Sequence, residues 1–320
     1  MAFKRYLALL GVILFIFVLS QINLSAVFSI WAKAQFIYFA IALLCVACIV
    51  LLRAKKWHIL VQTYSSHYSI LDCLRYWCIG FFLSLLTPGR VGDLSRAFYL
   101  KDKLSLPTGI LSVAVDRLMD IVLLLLWSTA SVFLFGWMFH QDIVSFPVLA
   151  LLFLGLFACA WFFSKADHIK FLLRPFFNLF VPENLKSKVK LSFSEFYDSI
   201  ALLKKNPGRL LRAFLYGFVS WILVMAVGYF LMLALNIELP FMFLFVLMPF
   251  LSLVDLIPVS ISGLGTREVT AIFLFSLFNL SSEIAVAFSL TYLLLSFVSV
   301  ALLGLVFFIR QPISLNWPQN

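Results

Sequence analysis

The chain carries no charged side chain from Tyr6 to Ala32, and none again from Gln35 to Leu52. About 20 apolar residues wound as a helix cross the hydrocarbon of a bilayer. Six segments reach that length: Tyr6 to Ser25, Gln35 to Leu52, Thr108 to Phe139, Ile143 to Ser164, Ala213 to Asn236 and Ile284 to Ile309. Lipid offers no partner to backbone N–H and C=O groups, so such segments must be helices that bond internally. Charged residues make up 12% of the chain, against about 25% in soluble domains. The expected fold is therefore an all-α polytopic membrane protein. The first run follows Lys4 and Arg5, lacks an Ala-x-Ala cleavage site and exceeds the roughly 7 to 15 residues of a signal-peptide core, so it reads as a retained helix.

Three apolar stretches are too short to span comfortably: Leu74 to Thr87, Leu239 to Ile257 and Val269 to Leu280. Each abuts a Gly/Pro-rich, charged break. The first break contains Pro88, Gly89, Arg90, Gly92, Asp93 and Arg96; the second contains Asp255, Pro258, Gly263, Gly265, Arg267 and Glu268. A charge left at the bilayer centre costs very roughly 2.5 to 3.5 kcal/mol, so charges here are paired, wet or functional.

Basic loops face the cytoplasm. The segment 165–212 holds ten Lys or Arg against four acids, and Lys4, Arg5, Arg53, Lys55 and Lys56 flank the first two helices. All of these should lie on one side, with both termini cytoplasmic, in a cytoplasmic (inner) membrane. A full crossing by Leu74 to Thr87 would place the ten-charge loop outside. Residues 74–103 are therefore expected to form a re-entrant hairpin from the cytoplasm, and 239–280 a second hairpin from the other face, or two thin full crossings. The order helix, helix, hairpin, helix then occurs twice in opposite orientation. Residues 1–139 and 143–309 read as the halves of an inverted repeat, a plan that places a transport site near the midplane where broken helices meet.

Irregular backbone at membrane depth must be buried in protein or line a cavity, which turns both breaks inward. Gly89, Gly92, Gly263 and Gly265 are suited to positive φ or close approach, and Pro88 and Pro258 stop the preceding helix. A helix starting near Asp93 or Arg267 would aim its N-terminus at the break. Arg90, Arg96 and Arg267 supply planar forks that match phosphate, and with Gly89, Gly263 and Gly265 they are the expected substrate-binding set. The alternative is an arginine that snorkels to the interface. Asp93, Asp116, Arg117, Asp120, Asp255 and Glu268 are expected as charge partners or proton couplers. Asp116 and Asp120 share a helix face, and Arg117 lies three residues from Asp120.

The five cysteines sit in or beside apolar segments, and the four histidines lack ligand spacing. Cys45 and Cys48 read as packing, and no metal or cofactor is expected. Phe193, Phe196, Tyr197, Ile200 and Leu203 form one stripe of an amphipathic helix in the basic loop, fitted to anionic headgroups or to a partner. A net charge of +10 gathered at helix ends fits membrane lipids better than nucleic acid.

The run Leu-Thr-Pro88-Gly89-Arg90-Val-Gly92-Asp93-Leu-Ser-Arg96, the run Val-Ala-Val-Asp116-Arg117-Leu-Met-Asp120 and the run Pro258-Val-Ser-Ile-Ser-Gly263-Leu-Gly265-Thr-Arg267-Glu268 resemble the flippase-like family, the transmembrane region of lysylphosphatidylglycerol synthases. Asp93 and Asp116 stand where Glu would be more usual, which preserves charge. The resemblance covers nearly the whole chain. It implies a stand-alone translocase for a phospholipid or an isoprenoid-linked lipid, with a cytoplasmic lipid-synthesising enzyme as a conceivable partner. The alternatives are a membrane-embedded lipid-modifying enzyme, such as a lipid-linked glycosyltransferase, or a scaffold in envelope biogenesis. The predicted external connections are too small to carry a headgroup-modifying site.

Overall fold

A computed structural model describes residues 15–65, 67–140, 148–155, 157–158, 193–256 and 263–312. Much of the expected first and fourth spans, most of the 165–212 loop and Pro258 lie outside the described residues. Within them the chain is helical: α1 Leu24–Ala32, α2 Phe36–Val61, α3 Ile70–Leu85, a 3-10 segment Pro88–Leu100, α4 Leu106–Phe139, α5 Phe193–Lys204, α6 Pro207–Ala234, α7 Phe243–Val254, α8 Thr266–Ser276, α9 Ser282–Leu293, a π turn Leu294–Val298, and α10 Ser299–Arg310. Four helical stretches are long and apolar enough to cross a membrane: Phe36–Val61, Leu106–Phe139, Pro207–Ala234 and Ser282–Arg310. They match four of the six expected spans.

The second span does not stop at Leu52, where the sequence turns basic. α2 continues through Arg53, Lys55 and Lys56 to Val61, because Lys56 finds carboxylates inside the protein. α2 and α6 are the central antiparallel pair. Gln35 N–H donates to the Ala234 carbonyl at one end (2.8 Å), Tyr38 stacks on Phe230, Lys56 lies against Gly217, and Arg209 donates to the Gln62 carbonyl at the other end.

α3 has 16 residues, about 24 Å at 1.5 Å per residue, too short for a hydrocarbon core of about 30 Å. It opens on a capping box between Ser69 and Asp72, which satisfies two orphan donors, and breaks at Leu86 and Thr87. The 3-10 segment then runs back along it: Tyr76 stacks on Tyr99, and a Cβ at Gly80 would lie 2.5 Å from Arg96 Cγ. Only glycine at 80 leaves room for that arginine. α7 and α8 make a second antiparallel hairpin, with Phe243 edge-on to Phe275 and Asp255 paired with Arg267.

The hairpins open at opposite ends of the bundle. At one end the Tyr68 phenol, pushed above its ordinary pKa by burial, donates to the Leu100 carbonyl (2.6 Å), and Tyr99 donates to Gln311 O (2.8 Å). The N-terminal part of α4 sits there, with Thr108 bonded to Ser199. At the far end of α4, Phe135 and Phe139 pack on Phe250 and Phe278 of the second hairpin. Proline at 249 has no N–H to offer the Phe245 carbonyl one turn back. Ser131 Oγ of α4 donates to that carbonyl instead, which locks α7 to α4.

Ile200 and Leu203 of α5 are buried against Ile59, Leu60, Leu111 and Val115. This part of the amphipathic stripe is covered by the protein's own bundle. The side chains of Phe193, Phe196 and Tyr197 lie outside the described residues.

Candidate anion site at the hairpin tips

Six side chains from three elements form a closed ring of alternating charge. Lys56 of α2 pairs with Asp116 (2.9 Å) and Asp120 (2.5 Å) of α4. Asp116 also accepts from Arg96 Nη1 at 3.0 Å, and Arg96 pairs with Asp93. Asp93 accepts from Arg117, and Arg117 lies 3.8 Å from Asp120, which closes the ring. Lys56, Arg96 and Asp116 are completely buried, and Asp93 is 2% exposed. The Arg96 guanidinium stacks 4.8 Å above the Trp57 ring, whose Nε1 donates to Ser112. Three cations against three anions make the ring neutral, the condition under which so many charges persist without water.

The second hairpin tip is a bidentate pair. Arg267 donates from Nε to Asp255 Oδ1 (3.0 Å) and from Nη2 to Oδ1 and Oδ2 (2.8 Å each). Gly263 has φ +82°, and a Cβ there would lie 1.8 Å from Asp255 Oδ1, so the approach of that carboxylate requires glycine. Gly265 is also left-handed, at φ +85°. The N-terminus of α8 is already supplied with an anion. Glu268 Oε2 accepts from the Gly265 N–H (2.6 Å), and its Oε1 accepts from Ser289 (2.7 Å).

Arg90 and Arg53 differ from these. At the first break Arg90 itself is left-handed, at φ +55°, and Gly92 is not. Its guanidinium lies 5.6 Å from the Phe297 ring centre, and that of Arg267 lies 4.5 Å from the same ring. Phe297 of the π turn therefore sits where the two tips converge. Arg53 and Arg90 line one cavity of about 60 Å³, together with Val46, Val50, Trp77, Phe81, Val224, Tyr292, Ser296 and Phe297. The Nε atoms of both arginines are buried and find no acceptor among the described residues. Among the described residues, no carboxylate lines the cavity.

The structure thus sorts the expected residues into two groups. Arg96, Asp93, Asp116, Arg117 and Asp120 meet in the ring, and Arg267, Asp255 and Glu268 meet at the second tip, each acid already engaged. Arg90 alone of the expected arginines faces the cavity. Lys56 and Arg53 carry no signal in the sequence beyond a basic flank after an apolar run. Their spacing from Trp57 and their position opposite the α4 acids emerge only when α2 is seen to continue.

The chain matches a family model described as the lysylphosphatidylglycerol synthase TM region over residues 6–304. A UPF0104 membrane protein of Methanocaldococcus jannaschii is 28% identical over 250 residues, covering 75% of this chain and 98% of the relative. A UPF0104 membrane protein of Pyrococcus horikoshii is 24% identical over 322 residues, covering 94% and 95%. No solved structure matches the chain.

Proposed function

The chain belongs to the family of lysylphosphatidylglycerol synthase transmembrane regions, and from that premise we propose that it translocates a phosphate-bearing lipid across the cytoplasmic membrane. The observation that carries the reading is the cavity at the hairpin tips. Two guanidiniums, Arg53 and Arg90, converge there on apolar walls with no acid among the lining residues, whereas the other buried charges described above have partners. Guanidinium forks bind phosphate oxygens well, and more strongly where water is scarce. The hairpins enter from opposite membrane faces as re-entrant pairs, and the two halves rock about the tips in the manner of inverted-repeat transporters.

A cavity of about 60 Å³ is far below the roughly 300 to 1,000 Å³ of a small-molecule pocket. The conformation is therefore closed, and headgroup entry parts the tips at Phe297. Arg53 and Arg90 contact the phosphate; Arg267 and Arg96, each holding a carboxylate, shape the tips. The acids of the ring fix the first hairpin against α2 and α4.

The test is exchange of headgroup-labelled phospholipids between leaflets of liposomes holding the purified protein. Wild type is expected to exchange them, and Arg53→Gln and Arg90→Gln to lose most of that rate with the fold intact. Wild-type rates in both variants would remove the phosphate-binding role.

A further inference from the structure

We propose that the cavity between the tips binds one small monovalent inorganic anion, of the halide class, in the closed conformation. Resting on the translocase reading, the proposal adds that lipid phosphate displaces this anion as the tips part.

The carrying observation is the meeting of two unanswered donors in one chamber. Arg53 enters the cavity from α2 and Arg90 from the first break, and the Nε of each is buried without an acceptor among the described residues. Like charges facing one apolar chamber repel, and a buried donor without a partner loses its water with nothing in exchange. An anion in the chamber accepts from both guanidiniums and turns the repulsion into attraction. Tyr292 and Ser296 also line the cavity, and their hydroxyls are further donors to an anion. Asp255, the acid of the second tip, forks on Arg267 instead.

Volume selects among anions. Roughly 10 to 15 Å³ of such space admits one water, so a cavity of about 60 Å³ admits a monatomic anion with a few waters and no lipid headgroup. The walls include Val46, Ile49, Val50, Trp77, Phe81 and Val224, which replace none of the hydrogen bonds an anion leaves behind in water. Sulfate and hydrogen phosphate, which hold water tightly, are therefore disfavoured against chloride, bromide and iodide. Guanidinium, itself weakly hydrated, suits the same soft anions.

Charge sets the valence. The ring balances three cations with three acids. Around the tips Arg53, Arg90 and Arg267 stand against Asp255 and Glu268, which leaves one positive charge for one anion to neutralise.

The test is a halide titration of the purified protein in detergent, in gluconate buffer of constant ionic strength. It is read as Tm and as quenching of tryptophan fluorescence by iodide, since Trp77 lines the cavity. Chloride and bromide are expected to raise Tm saturably, and iodide to quench saturably. Arg53→Gln and Arg90→Gln are each expected to weaken the apparent halide affinity about tenfold or more, the loss of one charge-assisted hydrogen bond. Ser296→Asp leaves both arginines in place and supplies a fixed negative charge; its Tm in gluconate is expected to match or exceed that of wild type and to ignore halide. No saturable response in wild type, full responses in the arginine variants, a full response in Ser296→Asp, or an equal response to sulfate or phosphate overturns the anion site.

The same protein in liposomes separates the two readings. Halide on both sides of the membrane is expected to slow leaflet exchange of headgroup-labelled phosphatidylglycerol, and less so as that lipid's share of the bilayer rises. Exchange indifferent to halide overturns the displacement and leaves the translocase reading standing. A halide response with no exchange of any lipid keeps the anion site and removes the translocase reading.

Discussion

Arg90 is an arginine held in backbone geometry that suits glycine, and its side chain projects into the cavity between the hairpins. A left-handed conformation costs an L-residue roughly 1 to 2 kcal/mol. Arg90→Gly should therefore unfold at no lower temperature than wild type while losing lipid exchange. A clear fall in Tm would assign the residue a structural role instead. The ring responds differently, because every member has two opposite neighbours. Asp116→Asn leaves Lys56 and Arg96 with a surplus positive charge in a buried setting, and breaking such an array costs about 3 to 5 kcal/mol. Lys56→Met added to Asp116→Asn restores neutrality and should recover part of that loss. A double-mutant cycle by thermal unfolding in detergent measures the coupling, and strict additivity would contradict the ring.

At the scale of elements, the end of α3 and the start of α8 were legible in the sequence because short apolar runs met Pro, Gly and charge at Pro88-Gly89 and Gly263–Gly265. Which residue took the left-handed turn was not, since Arg90 occupies a position where propensity favours its glycine neighbours. Lys56 was hidden for a related reason. A lysine after an apolar run reads as a membrane-interface anchor, and only the register of α2 against α4 shows it facing Asp116 and Asp120. The bond from Ser131 to the Phe245 carbonyl is equally invisible in sequence, yet it compensates for Pro249. Ser131→Ala strands that carbonyl and should cost about 1 to 3 kcal/mol, with faster hydrogen exchange over Phe243–Val254. Adding Pro249→Ala returns an N–H to the turn and should restore part of the protection.

Across the whole molecule, Gln62, Arg209 and Gln311 lie at one end and Gln35 and Asn236 at the other. From the charge of the basic loop, the proposed orientation puts the first end in the cytoplasm. In a background freed of its five cysteines, a cysteine introduced at Asn236 should react with an impermeant reagent from outside, and one at Arg209 only after the membrane is opened. Reaction of both from one side would overturn the arrangement of the central pair.

The neutrality of the ring also has an electrical consequence. A lone charge moved across a membrane couples to voltage at about 2.3 kcal/mol per 100 mV. Three acids and three bases held together across α2, the first hairpin and α4 sum to zero and contribute no gating charge. Any response of these elements to the membrane potential is therefore left to charges outside the ring, Arg53 and Arg90 foremost.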